Sequence, residues 1–296
     1  MDWARDLPGW PNADMSRRAA VAPHRWHVQE AGAGETLLLI HGAGGSTHSF
    51  RDLLPILAAD RHVVALDMPG QGFTRAGTKS RCSLPLMTTD IAALVAAEGW
   101  QPRAIIGHSA GAAIALALAE RLTPAPDVIG INAALGNFEG VAGWLFPALA
   151  KLLALNPFTA SAFTLGGASP ARVRRLIGST GSELDETGLA LYARLMGDRD
   201  HVDATLKMMA QWSIDPLIGR LPDLAARTLF ITGDRDRAVP PSVSDRAAAR
   251  LPDARVVHLP GLGHLAHEEN PAAVAAEIEG FLAGRPAGLA AERGSA

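Results

Sequence analysis

The segment RAIIGHSAGAAIALALAERL, residues 103–122, combines a short apolar run, a Gly-rich turn and an Ala-rich helical pattern. The run Arg103–Gly107 predicts a buried strand, and Ser109–Leu122 predicts the helix that follows it. Between them, Gly107-His108-Ser109-Ala110-Gly111 fits the G-x-S-x-G pattern of a sharp strand-to-helix turn. Such a turn is too tight for bulky side chains two residues before and after the serine. The pattern therefore predicts that the Ser109 hydroxyl stands above the sheet as a nucleophile.

The alternation of strand and helix continues on both sides of this segment. The apolar runs are continuous, as in parallel strands that are buried on both faces. Strand followed by helix, repeated, predicts an α/β fold whose mostly parallel sheet is flanked by helices. The predicted strands are Thr36–Ile40, His62–Asp67, Arg103–Gly107, Val128–Asn132, Thr228–Thr232 and Arg255–Leu259, with Trp26–Gln29 as an antiparallel edge strand. The predicted core helices are Phe50–Ala59, Leu84–Gly99, Ser109–Leu122, Ser242–Leu251 and Pro271–Ala283.

The alternation stops between Ala133 and Ala226, where no strand pattern occurs. We interpret residues 134–226 as a helical cap inserted into an α/β core that comprises residues 1–133 and 227–284. The Gly-, Pro- and Ala-rich tail, residues 285–296, is predicted to be disordered. The helical patterns of the cap are Gly140–Leu155, Ala171–Gly178, Glu186–Met196 and Val202–Trp212.

Composition excludes several classes of protein. Hydrophobic residues make up 48% of the 296 residues, and the formal net charge is −3. This near-neutral charge argues against a nucleic-acid partner, which usually needs a basic surface. Cys82 is the only cysteine, so no intramolecular disulfide or thiolate metal cluster can form, as suits a cytoplasmic protein. The start of the chain lacks a secretory signal pattern, and the most apolar stretch, Val141–Leu155, is shorter than the ~20 residues that span a bilayer.

A serine nucleophile on such a turn needs an acid and then a histidine base further along the chain. His264 follows the last predicted strand in the sequence Gly261-Leu262-Gly263-His264 and is the candidate base. Asp234 and Asp236 both follow the strand Thr228–Thr232, and either could instead be a turn residue. We favour Asp236, because the spacing Gly-x-x-Asp-x-x-Val-Pro places it at the loop apex. The alternative position for an acid, just after Val128–Asn132, holds no carboxylate.

Two backbone amides are needed to bind the oxyanion that forms during acyl transfer. The amide of Ala110, directly after the nucleophile, is the first candidate. The second is that of Ala43, in the Gly-rich loop His41-Gly42-Ala43-Gly44-Gly45 after the strand Thr36–Ile40. A dinucleotide-binding fingerprint is the rival interpretation of this loop, but Thr47 occupies the position where that fingerprint needs Gly or Ala.

The remaining histidines near the site are expected to be structural. His41 and His108 flank the candidate residues in sequence and are predicted to be hydrogen-bonded rather than catalytic. His267 lies three residues after His264 and is expected to be a capping or surface residue. Because no partner set of carboxylates or cysteines accompanies this histidine pair, we predict neither a metal site nor a cofactor.

Taken together, these motifs resemble those of the α/β-hydrolase superfamily. The resemblance extends from about Trp26 to Leu282 and implies an eight-stranded, mostly parallel sheet. Haloalkane dehalogenases and many epoxide hydrolases of this superfamily carry aspartate at the nucleophile position. Ser109 therefore implies hydrolysis of an ester, a related acyl bond or a C–C bond. The motifs are His41-Gly42, Asp67-x-Pro69-Gly70-x-Gly72, Gly107-x-Ser109-x-Gly111, Asp236 and His264.

A narrower resemblance, to the magnesium-chelatase accessory hydrolases of bacteriochlorophyll biosynthesis, covers nearly the whole chain. It implies a role near magnesium insertion, with a tetrapyrrole or tetrapyrrole ester as ligand and magnesium chelatase as a contact. Magnesium would then belong to the ligand. The segments that carry this resemblance are Trp10-Pro11-Asn12, Ser16-Arg17, Trp26-His27-Val28-Gln29, Ser46-Thr47-His48-Ser49-Phe50-Arg51, Gly107-His108-Ser109-Ala110-Gly111-Ala112-Ala113, Asn132-Ala133-Ala134-Leu135 and Met208-Met209-Ala210-Gln211-Trp212.

Apolar side chains of the predicted cap are consistent with a small apolar substrate. As a set they predict a hydrophobic pocket between cap and sheet, although any one of them could simply pack the cap onto the core. Two functions remain open at this point: a serine hydrolase, and a non-catalytic protein that binds a tetrapyrrole for the chelatase. The candidate pocket residues are Phe138, Trp144, Leu145, Met208, Met209 and Trp212.

Overall fold

An eight-stranded sheet forms the centre of the computed structural model, which describes residues 1–77, 81–136 and 169–284. The spatial order of the strands is β1-β2-β4-β3-β5-β6-β7-β8. The pairs β1·β2 and β2·β4 are antiparallel, and all the others are parallel. The strands are β1 Ser16–Ala19, β2 Trp26–Ala31, β3 Thr36–Ile40, β4 His62–Leu66, β5 Pro102–His108, β6 Asp127–Ile131, β7 Thr228–Gly233 and β8 Ala254–Leu259.

Helices cover both faces of the sheet. Alternate residues of β3 point to opposite sides: Leu38 and Ile40 join one buried apolar cluster, and Leu37 and Leu39 join the other. This continuous burial explains why the strands read as unbroken apolar runs. The helices are α1 Trp3–Asp6, α2 Leu53–Leu57, α3 Leu84–Glu98, α4 Ala110–Ala119, α5 Pro170–Ser179, α6 Glu186–Met196, α7 Arg199–Gln211, α8 Asp215–Arg220, α9 Ser242–Ala248, α10 Ala266–Glu269 and α11 Pro271–Leu282.

The predicted core elements are confirmed, with small differences at their ends. The helix predicted over Phe50–Ala59 is shorter: a 3₁₀ turn at Thr47–Phe50 precedes α2. Pro55 has no amide to donate to Arg51, so the two segments do not form one continuous helix. Strand β1 was not predicted, because its sequence Ser-Arg-Arg-Ala carries no apolar run.

Of the predicted cap, the structure describes α5 to α8. The predicted helix Gly140–Leu155 and the tail 285–296 lie outside the described residues, and the core and cap boundaries stay a prediction. In the parts of the chain that are described, no helix is long and apolar enough to cross a membrane.

Candidate functional site

Ser109 occupies the turn between β5 and α4 in a strained backbone conformation. Its φ of 53° and ψ of −116° are rare for a residue with a side chain. Two hydrogen bonds stabilise this strained conformation. The Ser109 amide donates to the carbonyl of Ile131, the last residue of β6, at 2.9 Å, and the Ala134 amide, just after β6, donates to the Ser109 carbonyl at 3.1 Å. The turn thus presents the hydroxyl at the carboxyl edge of the sheet.

The flanking glycines are sterically required, as predicted. A Cβ atom on Gly107 would lie 2.3 Å from the Gly111 carbonyl oxygen, and one on Gly111 would lie 2.2 Å from that of Ile40. Both neighbours are backbone atoms, which cannot rotate away.

Gly111→Ala is therefore expected to lower the free energy of unfolding by about 1–3 kcal/mol, the usual cost of overpacking. Chemical denaturation would measure the loss. Gly219→Ala is the matched control, because a Cβ atom at this position in α8 meets nothing within 4 Å. It should be neutral or stabilising by up to about 1 kcal/mol. Equal effects at the two positions would contradict the steric explanation.

The structure brings Ser109, His264 and Asp236 together at this edge. His264 Nε2 lies 3.0 Å from Ser109 Oγ, and His264 Nδ1 lies 2.8 Å from Asp236 Oδ2. Because a carboxylate only accepts, the Nδ1–H donates to Asp236 and leaves Nε2 free to accept the serine proton. All three come from different loops at the carboxyl ends of β5, β7 and β8.

Asp236 is buried and accepts four hydrogen bonds. Its Oδ1 accepts from the amides of Ala238 and Val239, each at 2.8 Å. Its Oδ2 accepts from Asn132 Nδ2, at 2.8 Å, and from His264. Asp234 instead accepts from the Gly261 amide at 2.7 Å and is exposed to solvent. These bonds fix the Asp236 carboxylate and leave Asp234 as a loop residue.

The loop after β3, residues 41–45 (the oxyanion loop), lies beside the turn at Ser109 and carries the candidate amide of Ala43. The Gly44 amide donates to Gln71 Oε1 at 2.9 Å, and the Gly45 amide donates to the Gly42 carbonyl at 3.0 Å. Within the described residues the Ala43 amide has no such acceptor. The Ala110 amide opens α4, where the first amides of a helix lack intrahelical acceptors. No acceptor is therefore present for either predicted amide in the part of the chain that the structure describes, and their role at an oxyanion stays a prediction.

The neighbouring histidines are buried and hydrogen-bonded. His41 accepts from the Met68 amide at 2.9 Å through Nε2, and His108 donates to the His264 carbonyl at 2.9 Å, so the prediction that both are hydrogen-bonded is confirmed. The prediction for His267 as a capping or surface residue is wrong. Its side chain is fully buried, its Nε2 lies 2.8 Å from Ser49 Oγ, and burial lowers its pKa to about 3. Among the described residues, no three His, Cys, Asp or Glu side chains are grouped as metal ligands.

His201, on α7 of the predicted cap, connects the oxyanion loop to the turn after β4. Its Nδ1 accepts from the Gly72 amide at 3.0 Å, so its Nε2–H donates to the Gly44 carbonyl at 3.1 Å. Burial lowers the pKa of this ring to about 4. The ring is therefore neutral at pH 7, and its protonation would place a second N–H against the Gly72 amide.

This lowered pKa predicts an acid-sensitive contact. The stabilisation that depends on neutral His201 is fully present above pH 6.5 and is lost as the pH falls towards 4. The unfolding free energy of the wild type should therefore fall by about 3 kcal/mol more over this interval than that of His201→Gln, a variant that does not titrate there. Urea denaturation of both proteins at several pH values would measure the difference. Parallel curves would contradict the assignment.

The candidate pocket residues are only partly described. Met208 is buried, and its sulfur accepts from Gln71 Nε2 at 3.4 Å, so it packs on the same side chain that holds the oxyanion loop. Trp212 is partly buried against the apolar cluster that contains Leu38 and Ile40, and Met209 on α7 is also partly buried. Phe138, Trp144 and Leu145 lie outside the described residues, so the pocket stays a prediction.

Three residues that support the site were not predicted from the sequence: Asn132, Gln71 and His201. A signal existed only for Asn132, the last residue of the predicted strand, directly before the position where an alternative acid was sought. Its φ of 48° turns the chain sharply after β6 and directs its amide to Asp236. Gln71 and His201 gave no signal, because their roles depend on contacts between segments far apart in sequence.

Comparisons with known proteins agree with this architecture. A family model described as alpha/beta hydrolase fold matches residues 35–271. The magnesium-chelatase 30 kDa subunit of Rhodobacter capsulatus is 47% identical over 267 residues, which cover 89% of this chain and 93% of that protein.

More distant matches include enzymes. The pimeloyl-acyl-carrier-protein methyl ester esterase of Xanthomonas oryzae pv. oryzae is 28% identical over 264 residues, covering 88% of this chain and 100% of the esterase. A solved structure of a serine hydrolase involved in carbazole degradation, the CarC enzyme, superposes with a TM-score of 0.74. It is 19% identical and covers 91% of this chain and 99% of its own, so it supports the fold alone. On the family match and the 47% identical relative, the chain belongs to the α/β-hydrolase family.

Proposed function

We propose that this protein is a serine hydrolase that cleaves an ester, or a related acyl or C–C bond, in an apolar substrate. The observation that carries the proposal is the chain of hydrogen bonds from Ser109 through His264 to Asp236, at 3.0 and 2.8 Å. A base within this distance of a serine hydroxyl has the geometry for nucleophilic catalysis.

The first half of the reaction follows from these contacts. Ser109 Oγ attacks the substrate carbonyl carbon while its proton moves to His264 Nε2. The carboxylate of Asp236 stabilises the imidazolium, and the Ala43 and Ala110 amides donate to the oxyanion. The tetrahedral intermediate then collapses, and the leaving alcohol takes the proton from His264. The acyl group remains on Ser109.

Water completes the cycle by the same groups. His264 removes a proton from water, the hydroxide attacks the acyl carbonyl, and Ser109 leaves with that proton as the acid is released. This mechanism requires no charged side chain other than those of His264 and Asp236.

For the substrate, we propose an apolar ester connected with the magnesium-chelatase step, and we place the protein in the cytoplasm with chelatase as a contact. The name of the 47% identical relative supports the connection with chelatase. A methyl ester esterase among the relatives supports the choice of methyl esters as test substrates. A tetrapyrrole methyl ester would combine the connection with chelatase and the methyl ester group.

The test is hydrolysis of a methyl ester series by the purified chain. We expect turnover of apolar esters, including a porphyrin methyl ester, to exceed that of short polar esters, because the predicted pocket is apolar. A control variant is Asp234→Asn, which changes a carboxylate of the same loop as Asp236. It leaves Ser109, His264 and Asp236 unchanged and should keep the wild-type rate. Absence of turnover with every ester of the series would contradict the proposed substrate class.

A second candidate function is a non-catalytic accessory protein that binds a tetrapyrrole for the chelatase. It is favoured by one observation: the 47% identical relative is named as a chelatase subunit and not as a hydrolase. Protoporphyrin or its magnesium form would then shift its absorption spectrum saturably in the presence of both wild type and Ser109→Ala. Absence of a saturable shift would contradict the accessory role.

A further inference from the structure

One turn of the cap lies between the two core loops that carry Asp236 and His264. This cap turn, Thr180–Ser182, joins α5 to α6. The Thr180 carbonyl accepts from the Arg237 amide at 3.0 Å, next to Asp236. The Ser182 hydroxyl accepts from the Leu265 amide at 2.8 Å, next to His264. The cap turn therefore bonds to the neighbours of both residues.

The contact is backbone against backbone and leaves no free space. Gly181 has a φ of +87°, and a Cβ atom there would lie 2.0 Å from the Arg235 carbonyl oxygen. A Cβ atom on Gly263, directly before His264, would lie 2.4 Å from atoms of Gly181 and Ser182. At such distances, the cap turn cannot move closer to either loop without displacing it.

The side chain that follows His264 is also held by the cap. Leu265 is buried in an apolar cluster with Val173 and Ile177 of α5 and Leu189 of α6. Its amide is bonded to Ser182, so both its main chain and its side chain are fixed by cap residues. The His264 ring is bonded to Ser109 and Asp236 of the core, and its position depends on the loop that Leu265 anchors.

We propose that the cap turn positions His264 for catalysis, with Ser182 as the principal positioning residue. The inference rests on the proposed Ser109–His264–Asp236 hydrolase. Without the Ser182 hydroxyl, the Leu265 amide loses its acceptor in a buried environment. The loop that carries His264 (the base loop) can then change its conformation. A displacement of His264 by a fraction of an ångström weakens its contacts with both Ser109 and Asp236.

The test compares Ser182→Ala with Ser179→Ala, a control in the same segment whose exposed hydroxyl donates to the Leu176 carbonyl of its own helix. The readout is the second-order rate of Ser109 modification by a fluorophosphonate at pH 5 to 9. Ser182→Ala should react about tenfold more slowly, with its pH midpoint displaced to lower pH because a weaker Asp236 contact stabilises the protonated ring less. Ser179→Ala should match the wild type. A wild-type rate and midpoint in Ser182→Ala would overturn the proposal.

Amide hydrogen exchange separates this inference from the proposed function, because it requires no reaction at Ser109. The Leu265 amide should exchange about tenfold faster in Ser182→Ala than in the wild type and Ser179→Ala. If wild-type Ser109 does not react with the probe, the hydrolase proposal fails, and the exchange rates still decide whether Ser182 holds the base loop. Equal exchange of the Leu265 amide in all three proteins would overturn the positioning role.

Discussion

Ser109→Ala is expected to lower kcat for ester hydrolysis by about 10⁴-fold or more, because the variant has no nucleophile to form the acyl-enzyme. The substitution removes one oxygen at the start of α4 and leaves the glycines of the turn in place. Circular dichroism and the unfolding midpoint should therefore stay close to those of the wild type. Steady-state kinetics on a chromogenic ester would measure the loss.

His264→Ala provides the companion measurement. If Ser109 and His264 act as one unit, the double variant Ser109→Ala/His264→Ala should be no slower than the slower of the two single variants, within about tenfold. Losses that multiply in the double variant would show that the two residues act independently and would contradict the proposed mechanism.

Arg51→Ala is expected to lower the unfolding free energy by about 3–5 kcal/mol, the cost of leaving a buried charge without its partner. The Arg51 guanidinium forms an ion pair with Glu268, whose side chain is completely buried. Ser49 and Tyr192 also donate to this carboxylate, each at 2.6 Å, but neither carries a positive charge. Chemical denaturation at pH 7 would measure the loss.

The loss of unfolding free energy in Arg51→Ala should also increase with pH. Burial raises the pKa of Glu268 above its ordinary value of 4.5, and Arg51 opposes that rise. Without Arg51 the pKa rises further, so the folded variant favours the protonated acid, and its stability decreases as the pH rises above 4.5. The difference from the wild type should therefore be larger at about pH 8 than at about pH 5.

Arg174→Ala is the matched control for this prediction. Its ion pair with Glu186 is exposed on both sides, so its removal should change the stability by less than about 1 kcal/mol at either pH. A loss in Arg51→Ala no larger than that of the control would contradict the role assigned to the buried pair.

The parallel core could be predicted because its strands are local apolar runs and its turns carry characteristic residues. The strand-to-helix turn at Ser109 is the clearest case, because the close approach of Gly107 and Gly111 to backbone atoms requires glycine at both positions. The order Ser109, Asp236, His264 followed from the order of the strands that position them. Each of these features is encoded in a short segment of the sequence.

The supporting contacts could not be predicted in the same way. Ser182 and Leu265 are 83 positions apart, and the bond between them depends on how the segment between α5 and α6 packs against the loop after β8. His267, which Glu268 and Glu269 follow, was expected to be a capping or surface residue. Its burial results from Ser49 and from the rings of Phe50 and His108, which come from distant parts of the chain. Such contacts leave no periodic pattern in the sequence.

Covalent modification of the protein by a fluorophosphonate, mapped by mass spectrometry, tests the central claim most directly. A serine activated by His264 should be phosphonylated stoichiometrically, with the added mass on the peptide that contains Ser109 and none in Ser109→Ala. A folded wild-type protein that stays unmodified, or that is modified equally in the Ser109→Ala variant, would contradict the account.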